Sequence, residues 1–234
     1  MLLYLLFVGP TMLLALGAQW LIRSAYQRAS QIPTRMNGVM AARRILDANG
    51  LQDIPIEQSQ GQLSDHYDPS AKVVRLSPDV YQGYSIASVG IAAHEVGHAI
   101  QDAKRYAPLV VRNLAVPIAG FGSSLSSVFF FAAIALGAMG MSQWSMWAMI
   151  LFVAGFSATV IFQIINLPVE FNASSRAKTE LVSLGIINTQ ELSQVSRVLT
   201  AAALTYVAAT LQAVATLAYY LLHFVLSSQG RRDG

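Results

Sequence analysis

The middle of the chain contains a long stretch without a charged side chain, NLAVPIAGFGSSLSSVFFFAAIALGAMGMSQWSMWAMILFVAGFSATVIFQIINLPV (113–169). A helix needs about 20 mostly apolar residues to cross the hydrocarbon core of a bilayer, so this stretch is long enough for two crossings and a turn. Small and polar residues interrupt the apolar pattern near Gly140–Ser145, where we place the turn. The stretch therefore predicts a transmembrane hairpin over 116–167.

Two shorter uncharged stretches lie nearer the ends of the chain, at 1–22 and 198–230. Each is long enough for one crossing, and we place these spans near 2–22 and 203–226. A cleaved signal peptide is the alternative for 1–22, but no basic residue precedes its apolar run, which is longer than the about 7–15 apolar residues of a signal peptide. We therefore predict a mostly α-helical integral membrane protein with about four transmembrane helices.

The composition agrees with a membrane protein and excludes several classes of site. Hydrophobic residues make up 54% of the chain and charged residues only 12%, whereas soluble domains have about 25% charged residues. The absence of cysteine excludes disulfides, thiolate-bound metals and thiol catalysis. The formal net charge of +3 is small, so we expect the lipid bilayer and no nucleic acid as a partner.

The basic residues predict how the chain is oriented in the membrane. Five arginines follow the first uncharged stretch, whereas the turn of the hairpin has none; they are Arg23, Arg28, Arg35, Arg43 and Arg44. Basic residues are enriched on the cytoplasmic side of membranes. We therefore expect 23–115 and 168–200 in the cytoplasm, both termini outside, and a multi-pass protein of the cell (inner or plasma) membrane.

The polar segment 23–115 is predicted to be a small α+β unit. Its elements are a helix from Thr34 to Asn49, a short strand at Ile54–Gln58, a hairpin formed by Gly61–Tyr67 and Ala71–Leu76, and a helix from about Ser85 to Lys104. The hairpin would turn at Asp68-Pro69-Ser70, because Asp, Pro and Ser are favoured in turns.

The last of these helices contains the motif His94-Glu95-Val96-Gly97-His98. Four residues are about one helical turn, so His94 and His98 project from the same face and can bind one zinc ion. Glu95 lies beside that face, where a carboxylate can reach a water molecule on the metal and act as general base. The alternative is a helix with two surface histidines, which the apolar residues flanking the motif disfavour.

A catalytic zinc usually has three protein ligands and a water molecule, so one ligand must come from outside the motif. Glu170 is the best candidate, because it is the first charge after the uncharged stretch and two crossings return the chain to the side of the motif. A solvated acid at a helix start is the alternative for this residue. The rival ligands are Glu180, Glu191, His66 and Asp102, of which Asp102 could instead support the site from one turn beyond His98.

Four segments resemble the YugP-like family of bacterial membrane zinc metallopeptidases: DHYDPSAKVVRLS (65–77), HEVGHAIQ (94–101), LPVEFNASSRA (167–177) and LTAAALTYVAATLQAV (199–214). The resemblance covers nearly the whole chain. It extends distantly to HtpX-type membrane proteases, in which a later Glu-x-x-x-Asp helix supplies the third ligand. It implies a gluzincin-like zinc endopeptidase with Glu170 as that ligand. The chain departs from these patterns at Ser174 and Asn172, where the resemblance would give Asp.

We therefore predict a zinc-dependent endopeptidase acting on a peptide or membrane-protein substrate. One Zn²⁺ per chain would be held by His94, His98 and Glu170, with Glu95 as general base. Supporting or substrate contacts are expected from His66, Tyr67, Asp102, Asn172 and Arg176. The chain would divide into an anchor (1–22), a catalytic segment (23–115), a transmembrane hairpin (116–167), a cytoplasmic helix with the third ligand (168–200) and a last span with its tail (201–234).

Two other classes of function compete with this prediction. A non-catalytic, zinc-binding scaffold or partner-regulating subunit would have no use for a general base, so the presence of Glu95 disfavours it. A zinc transporter would need ionisable groups inside its spans, and the hairpin has none. A membrane-protein partner or a second copy of the chain is compatible with the endopeptidase prediction.

Overall fold

The computed structural model describes residues 2–229, with side chains up to 224, and seven helices and three short strands lie within that range. In chain order these are α1 (Leu2–Ser30), α2 (Gly38–Ala48), β1 (Ile56–Gln58), β2 (His66–Asp68), β3 (Val73–Leu76), α3 (Pro78–Gln82), α4 (Ile86–Ala103), α5 (Ala107–Ala138), α6 (Ser142–Ser183) and α7 (Thr189–Gln229). The predicted mostly α-helical architecture is confirmed.

Four of the helices are long and apolar enough to cross a membrane, namely α1, α5, α6 and α7. The long uncharged stretch forms α5 and most of α6, and these helices are joined at residues 139–141, where Gly140 has a φ of 75°. This conformation is costly for residues with a Cβ, so glycine suits the turn. The four transmembrane helices predicted from the uncharged stretches therefore correspond to helices of the structure.

The helices extend beyond the predicted spans, and the largest difference concerns α6. We placed the end of the third span near 167, and α6 continues past this point, through Pro168, to Ser183. Proline removes one backbone hydrogen bond from a helix interior, a loss that transmembrane helices tolerate where neighbouring groups satisfy the freed backbone. Glu170 consequently lies inside a continuous helix, so the alternative of a solvated acid at a helix start is wrong.

The chain divides into two compact units, of which the second holds the polar elements. This unit consists of Gly17–Val110 and Leu167–Thr205. The first unit contains most of the apolar length of α1, α5, α6 and α7. In it, α5 and α6 approach closely at Gly122 and Gly155, since a Cβ added to Gly155 would lie 2.8 Å from the carbonyl oxygen of Gly122.

A three-stranded sheet of order β1-β3-β2 lies in the second unit. β1 pairs in parallel with β3, and β2 pairs antiparallel with β3, which confirms the predicted hairpin. The turn is held by Asp68, whose carboxylate accepts hydrogen bonds from the backbone N–H groups of Ser70 and Ala71. The first strand of the hairpin is shorter than predicted, because Gly61 and Leu63 have positive φ angles and cannot continue a strand.

The helix that carries the motif is the most deeply buried element of the second unit. The side chain of Ser85 accepts a hydrogen bond from Ser88 N, and the helix ends at Ala103, close to the predicted limits. Most residues of α4 are buried, including Ala92, Ala93 and Val96 around the motif. The start of the preceding helix differs from the prediction, because Asn37 and not Thr34 caps α2 by accepting from Met40 N.

Candidate metal centre

Three side chains from two helices converge in the second unit. α4 presents His94 and His98 one turn apart, with ring centroids 4.8 Å apart, and α6 places Glu170 against both. Glu170 Oε2 lies 3.3 Å from His94 Nε2 and 3.7 Å from His98 Nε2. The ligand atoms of the three residues all lie within 4.8 Å of one another. The structure thus brings together the three residues predicted as metal ligands.

The chemistry of this cluster fits a zinc ion. Ligand atoms around one tetrahedral zinc lie about 3.3 Å apart, because each lies about 2.0–2.2 Å from the ion. The carboxylate of Glu170 is only 4% exposed, and its Oε2 atom has no hydrogen-bond partner among the described residues. A buried, unsatisfied carboxylate oxygen is costly unless a cation balances it. Two imidazole nitrogens and this oxygen form a donor set typical of zinc.

The carboxylates of the cluster act electrostatically on His98. Burial by itself would lower the pKa of the His98 imidazole, but the carboxylates of Glu170 and Glu95 outweigh burial and raise this pKa above its ordinary value. The site therefore has a negative potential that favours a cation.

A glycine within the motif allows α4 and α6 to approach closely. A Cβ added at Gly97 would lie only 2.6 Å from the carbonyl oxygen of Ala173. No side chain fits at this position unless the helices move apart. The close approach brings the turn of α6 that contains Glu170 within reach of both histidines.

The Nδ1 atom of each histidine contacts a neutral side chain. His98 Nδ1 lies 3.0 Å from Gln101 Oε1, and His94 Nδ1 lies 3.1 Å from Ser174 Oγ. Donation of Nδ1–H to these oxygens leaves both Nε2 atoms free to bind a metal. The fully buried Gln101 was not predicted, although its position three residues after His98 on an apolar helix face was a signal for it.

Gln101 is fixed in turn by α6. Its amide nitrogen donates to the carbonyl oxygen of Val169 at 2.8 Å and to Asn172 Oδ1 at 3.1 Å. Arg176 Nε also donates to Asn172 Oδ1, at 2.7 Å, and the guanidinium lies over the ring of Tyr106. Asn172 is therefore connected to His98 indirectly, through Gln101, and Arg176 is one hydrogen bond further away.

Asp102, which we predicted could support the metal ligands, contacts residues of the hairpin instead. Asp102 accepts a hydrogen bond from the hydroxyl of Tyr67 at 2.7 Å and forms an ion pair with Lys72. These contacts join α4 to the hairpin, while Gln101 is the side chain that contacts His98. Burial and the nearby Asp102 raise the pKa of the Tyr67 hydroxyl, which keeps it protonated as the donor.

The remaining candidates lie outside the cluster. His66 is exposed on β2, and its Nδ1 donates to the carbonyl oxygen of Ser64. The carboxylate of Glu191 accepts from Asn188 N, while Asn188 Oδ1 accepts from the N–H groups of Gln190 and Glu191, an arrangement that caps α7. Glu180 lies on α6 ten residues beyond Glu170 and is not part of the His–His–Glu group.

Glu95 is buried beside the metal ligands, with 9% of its surface exposed. It follows His94 on α4 and contributes to the negative potential that acts on His98. Its burial shields this carboxylate from bulk solvent. This is the setting in which a carboxylate can accept a proton during a reaction.

Comparisons with known proteins agree with the geometry. Residues 4–225 match the model of a family described as "Putative neutral zinc metallopeptidase". The chain is also 44% identical, over 222 residues, to the "Putative membrane protease YugP" of Bacillus subtilis (strain 168), and the match covers 94% of each chain. No solved structure was found to match the chain. The chain therefore belongs to this family of zinc metallopeptidases.

Proposed function

We propose that this chain is a membrane-bound zinc-dependent endopeptidase that hydrolyses peptide bonds in a peptide or membrane-protein substrate. The observation that carries the proposal is the buried cluster of His94, His98 and Glu170 beside Glu95, in which one Glu170 oxygen has no hydrogen-bond partner within the described part of the chain. The family description and the membrane protease relative support a protease.

In this proposal one zinc ion per chain is held by His94, His98 and Glu170, in a gluzincin-like arrangement. When bound, zinc supplies Lewis acidity that activates water and polarises the scissile carbonyl group. Glu95 accepts the proton of the attacking water and delivers it to the leaving amine nitrogen. Gln101 and Ser174 keep the two histidines in the orientation that the ion requires.

A strand of the small sheet is the proposed docking edge for the substrate. β2 is an outer strand, and Tyr67 on it is hydrogen-bonded to Asp102 of α4. An extended peptide that pairs with the outer side of β2 would therefore lie along an element tied to the motif helix. We do not assign Tyr67 as oxyanion donor, because its one hydroxyl proton is donated to Asp102, nor His66, which is exposed on β2 outside the His–His–Glu group. Arg176 donates its Nε–H to Asn172 and has further N–H groups, so it stays a candidate for this role.

We place the catalytic site on the cytoplasmic side of the cell membrane. The basic residues that follow the apolar part of α1 support this orientation, since the turn at 139–141 between α5 and α6 carries no charge. Two crossings by α5 and α6 return the chain to the side on which α4 lies, which agrees with the contact between Glu170 and the motif.

The test compares the purified wild type with Glu95→Gln, Glu170→Gln and Glu180→Gln by zinc content and by cleavage of casein in detergent. The wild type should contain about one zinc ion per chain. Glu95→Gln should retain the metal and lose about 10²-fold or more of the activity, because only the proton transfer is removed. Glu170→Gln should lose both metal and activity.

Glu180→Gln is the matched control, since it removes a carboxylate from the same helix outside the cluster. It should behave like the wild type in both measurements. Equal cleavage by the wild type and Glu95→Gln would contradict the proposed general base. A zinc-loaded wild type without any peptidase activity would favour the non-catalytic scaffold.

A further inference from the structure

A cavity that is separate from the metal ligands lies between α1 and α7 in the second unit. It has a volume of about 370 Å³. Its lining includes two arginines, three hydroxyl residues and two leucines: Arg28, Arg197, Ser24, Ser196, Thr200, Leu21 and Leu204. None of the proposed catalytic or metal-binding residues lines it, so the proposed peptidase reaction does not account for it.

The polar and apolar side chains of this cavity follow an order along each helix. On α1, Leu21 precedes Arg28 by seven residues, and on α7, Leu204 follows Arg197 by seven residues. Seven residues are about two helical turns, or about 10 Å along a helix. Each leucine lies on the side of its arginine that continues into the uncharged part of the helix. The cavity therefore has a cationic end at Arg28 and Arg197 and an apolar end at Leu21 and Leu204.

The positive charge of the cavity is not balanced within the described part of the chain. Arg28 and Arg197 are both exposed, and no ion pair involves either of them among the described residues. The described residues that line the cavity include no acid. Two guanidinium groups beside three hydroxyl groups provide donors for the oxygens of a phosphate group.

We propose that this cavity binds an anionic phospholipid. Arg28 and Arg197 would contact the headgroup phosphate, with Ser24 and Thr200 as additional donors. The acyl chains would pack against Leu21 and Leu204 at the apolar end of the cavity. Basic pockets between transmembrane helices on the cytoplasmic side suit anionic headgroups. The positive-inside rule predicts that Arg28 and Arg197 lie on this cytoplasmic side.

The experiment measures binding of fluorescent phosphatidylglycerol to the purified full-length chain in detergent, with phosphatidylcholine and inorganic phosphate as competitors. Arg28→Gln/Arg197→Gln should weaken binding about tenfold or more, because the headgroup phosphate would lose both of its guanidinium contacts. Unlabelled phosphatidylglycerol should displace the probe, and phosphatidylcholine should not.

The matched control is Arg23→Gln/Arg35→Gln, which removes the same charge from exposed positions outside the cavity. This control should bind within about twofold of the wild type, and both double variants should keep the wild-type zinc content, which shows that they fold. An equal loss in the control would mean that net charge alone attracts the lipid and would overturn the proposal. Unchanged binding by Arg28→Gln/Arg197→Gln would overturn it as well. Displacement by millimolar phosphate as efficiently as by lipid would assign the site to free phosphate instead.

Discussion

At the residue scale, the metal centre uses neutral groups to orient its histidines. The partner of His98 is the amide of Gln101, and the partner of His94 is the hydroxyl of Ser174. Carboxylates often occupy such positions and increase the basicity of the imidazole. Here Glu170 and Glu95 already place two carboxylates in a buried site, so neutral partners orient the rings without adding a third negative charge.

Replacement of Gln101 by leucine should weaken zinc binding about 10–100-fold, the usual effect of losing such a partner. The substitution preserves the approximate volume but removes the acceptor for His98 and the donor for Val169. Zinc affinity would be measured by competition with a chelator. Gln101→Glu, which keeps an acceptor oxygen, should bind zinc more tightly than Gln101→Leu. Equal affinities of wild type and Gln101→Leu would contradict this positioning role.

At the element scale, the contact between α4 and α6 depends on the missing side chain of Gly97. Gly97→Ala would place a methyl group 2.6 Å from the carbonyl oxygen of Ala173, and backbone on both helices leaves little room to adjust. We expect a destabilisation of about 1–3 kcal/mol and weaker zinc binding, because Glu170 moves away from the histidines. Thermal unfolding with and without a chelator measures both effects.

Gly90→Ala provides the control on the same helix. A Cβ at Gly90 would lie 3.3 Å from a methyl group of Val195, a side chain that can shift by a small amount. This variant should keep its zinc and unfold near the wild-type temperature. If Gly90→Ala and Gly97→Ala lost zinc to the same extent, helix packing in general and not the specific contact at Ala173 would be responsible.

The β2–β3 hairpin should make stability depend on pH in the acid range. The N–H groups of Ala71 and Ser70 and the guanidinium of Arg75 stabilise the charged carboxylate and lower the pKa of Asp68 from 3.8 to about 2. A lowered pKa contributes stability above pH 3.8 that is lost as the pH falls toward 2. The difference in melting temperature between wild type and Asp68→Asn should therefore shrink as the pH falls from 5 to 3. A constant difference would contradict the assignment.

At the scale of the whole molecule, the orientation in the membrane can be tested directly. Because the chain has no cysteine, single cysteines at Ser64, Ser142 and Ser183 can each be labelled selectively. With the positive-inside orientation, Ser64→Cys and Ser183→Cys should resist a membrane-impermeant thiol reagent in intact cells, and Ser142→Cys should react. Labelling of Ser64→Cys from outside would reverse the orientation and place the metal centre on the outer face.

The sequence by itself determined the features that depend on local composition and spacing. The uncharged stretches predict the four long helices because only helices and closed β-barrels satisfy the backbone in a bilayer, and continuous apolar stretches of this length are typical of helices. The Asp68-Pro69-Ser70 turn predicts the hairpin, and the spacing of His94 and His98 predicts their common face, because turns and helical periodicity are properties of neighbouring residues.

Only the tertiary structure decided which distant side chains meet. Because α5 and α6 cross the membrane twice, the sequence could place Glu170 on the same side of the membrane as the motif. The contact of Glu170 with the histidines, however, results from the close approach of α4 and α6 at Gly97. The same packing selects Gln101 over its neighbour Asp102 as the partner of His98, and it turns Asp102 toward the hairpin. These choices depend on the relative positions of packed helices, which the spacing of residues within one segment does not specify.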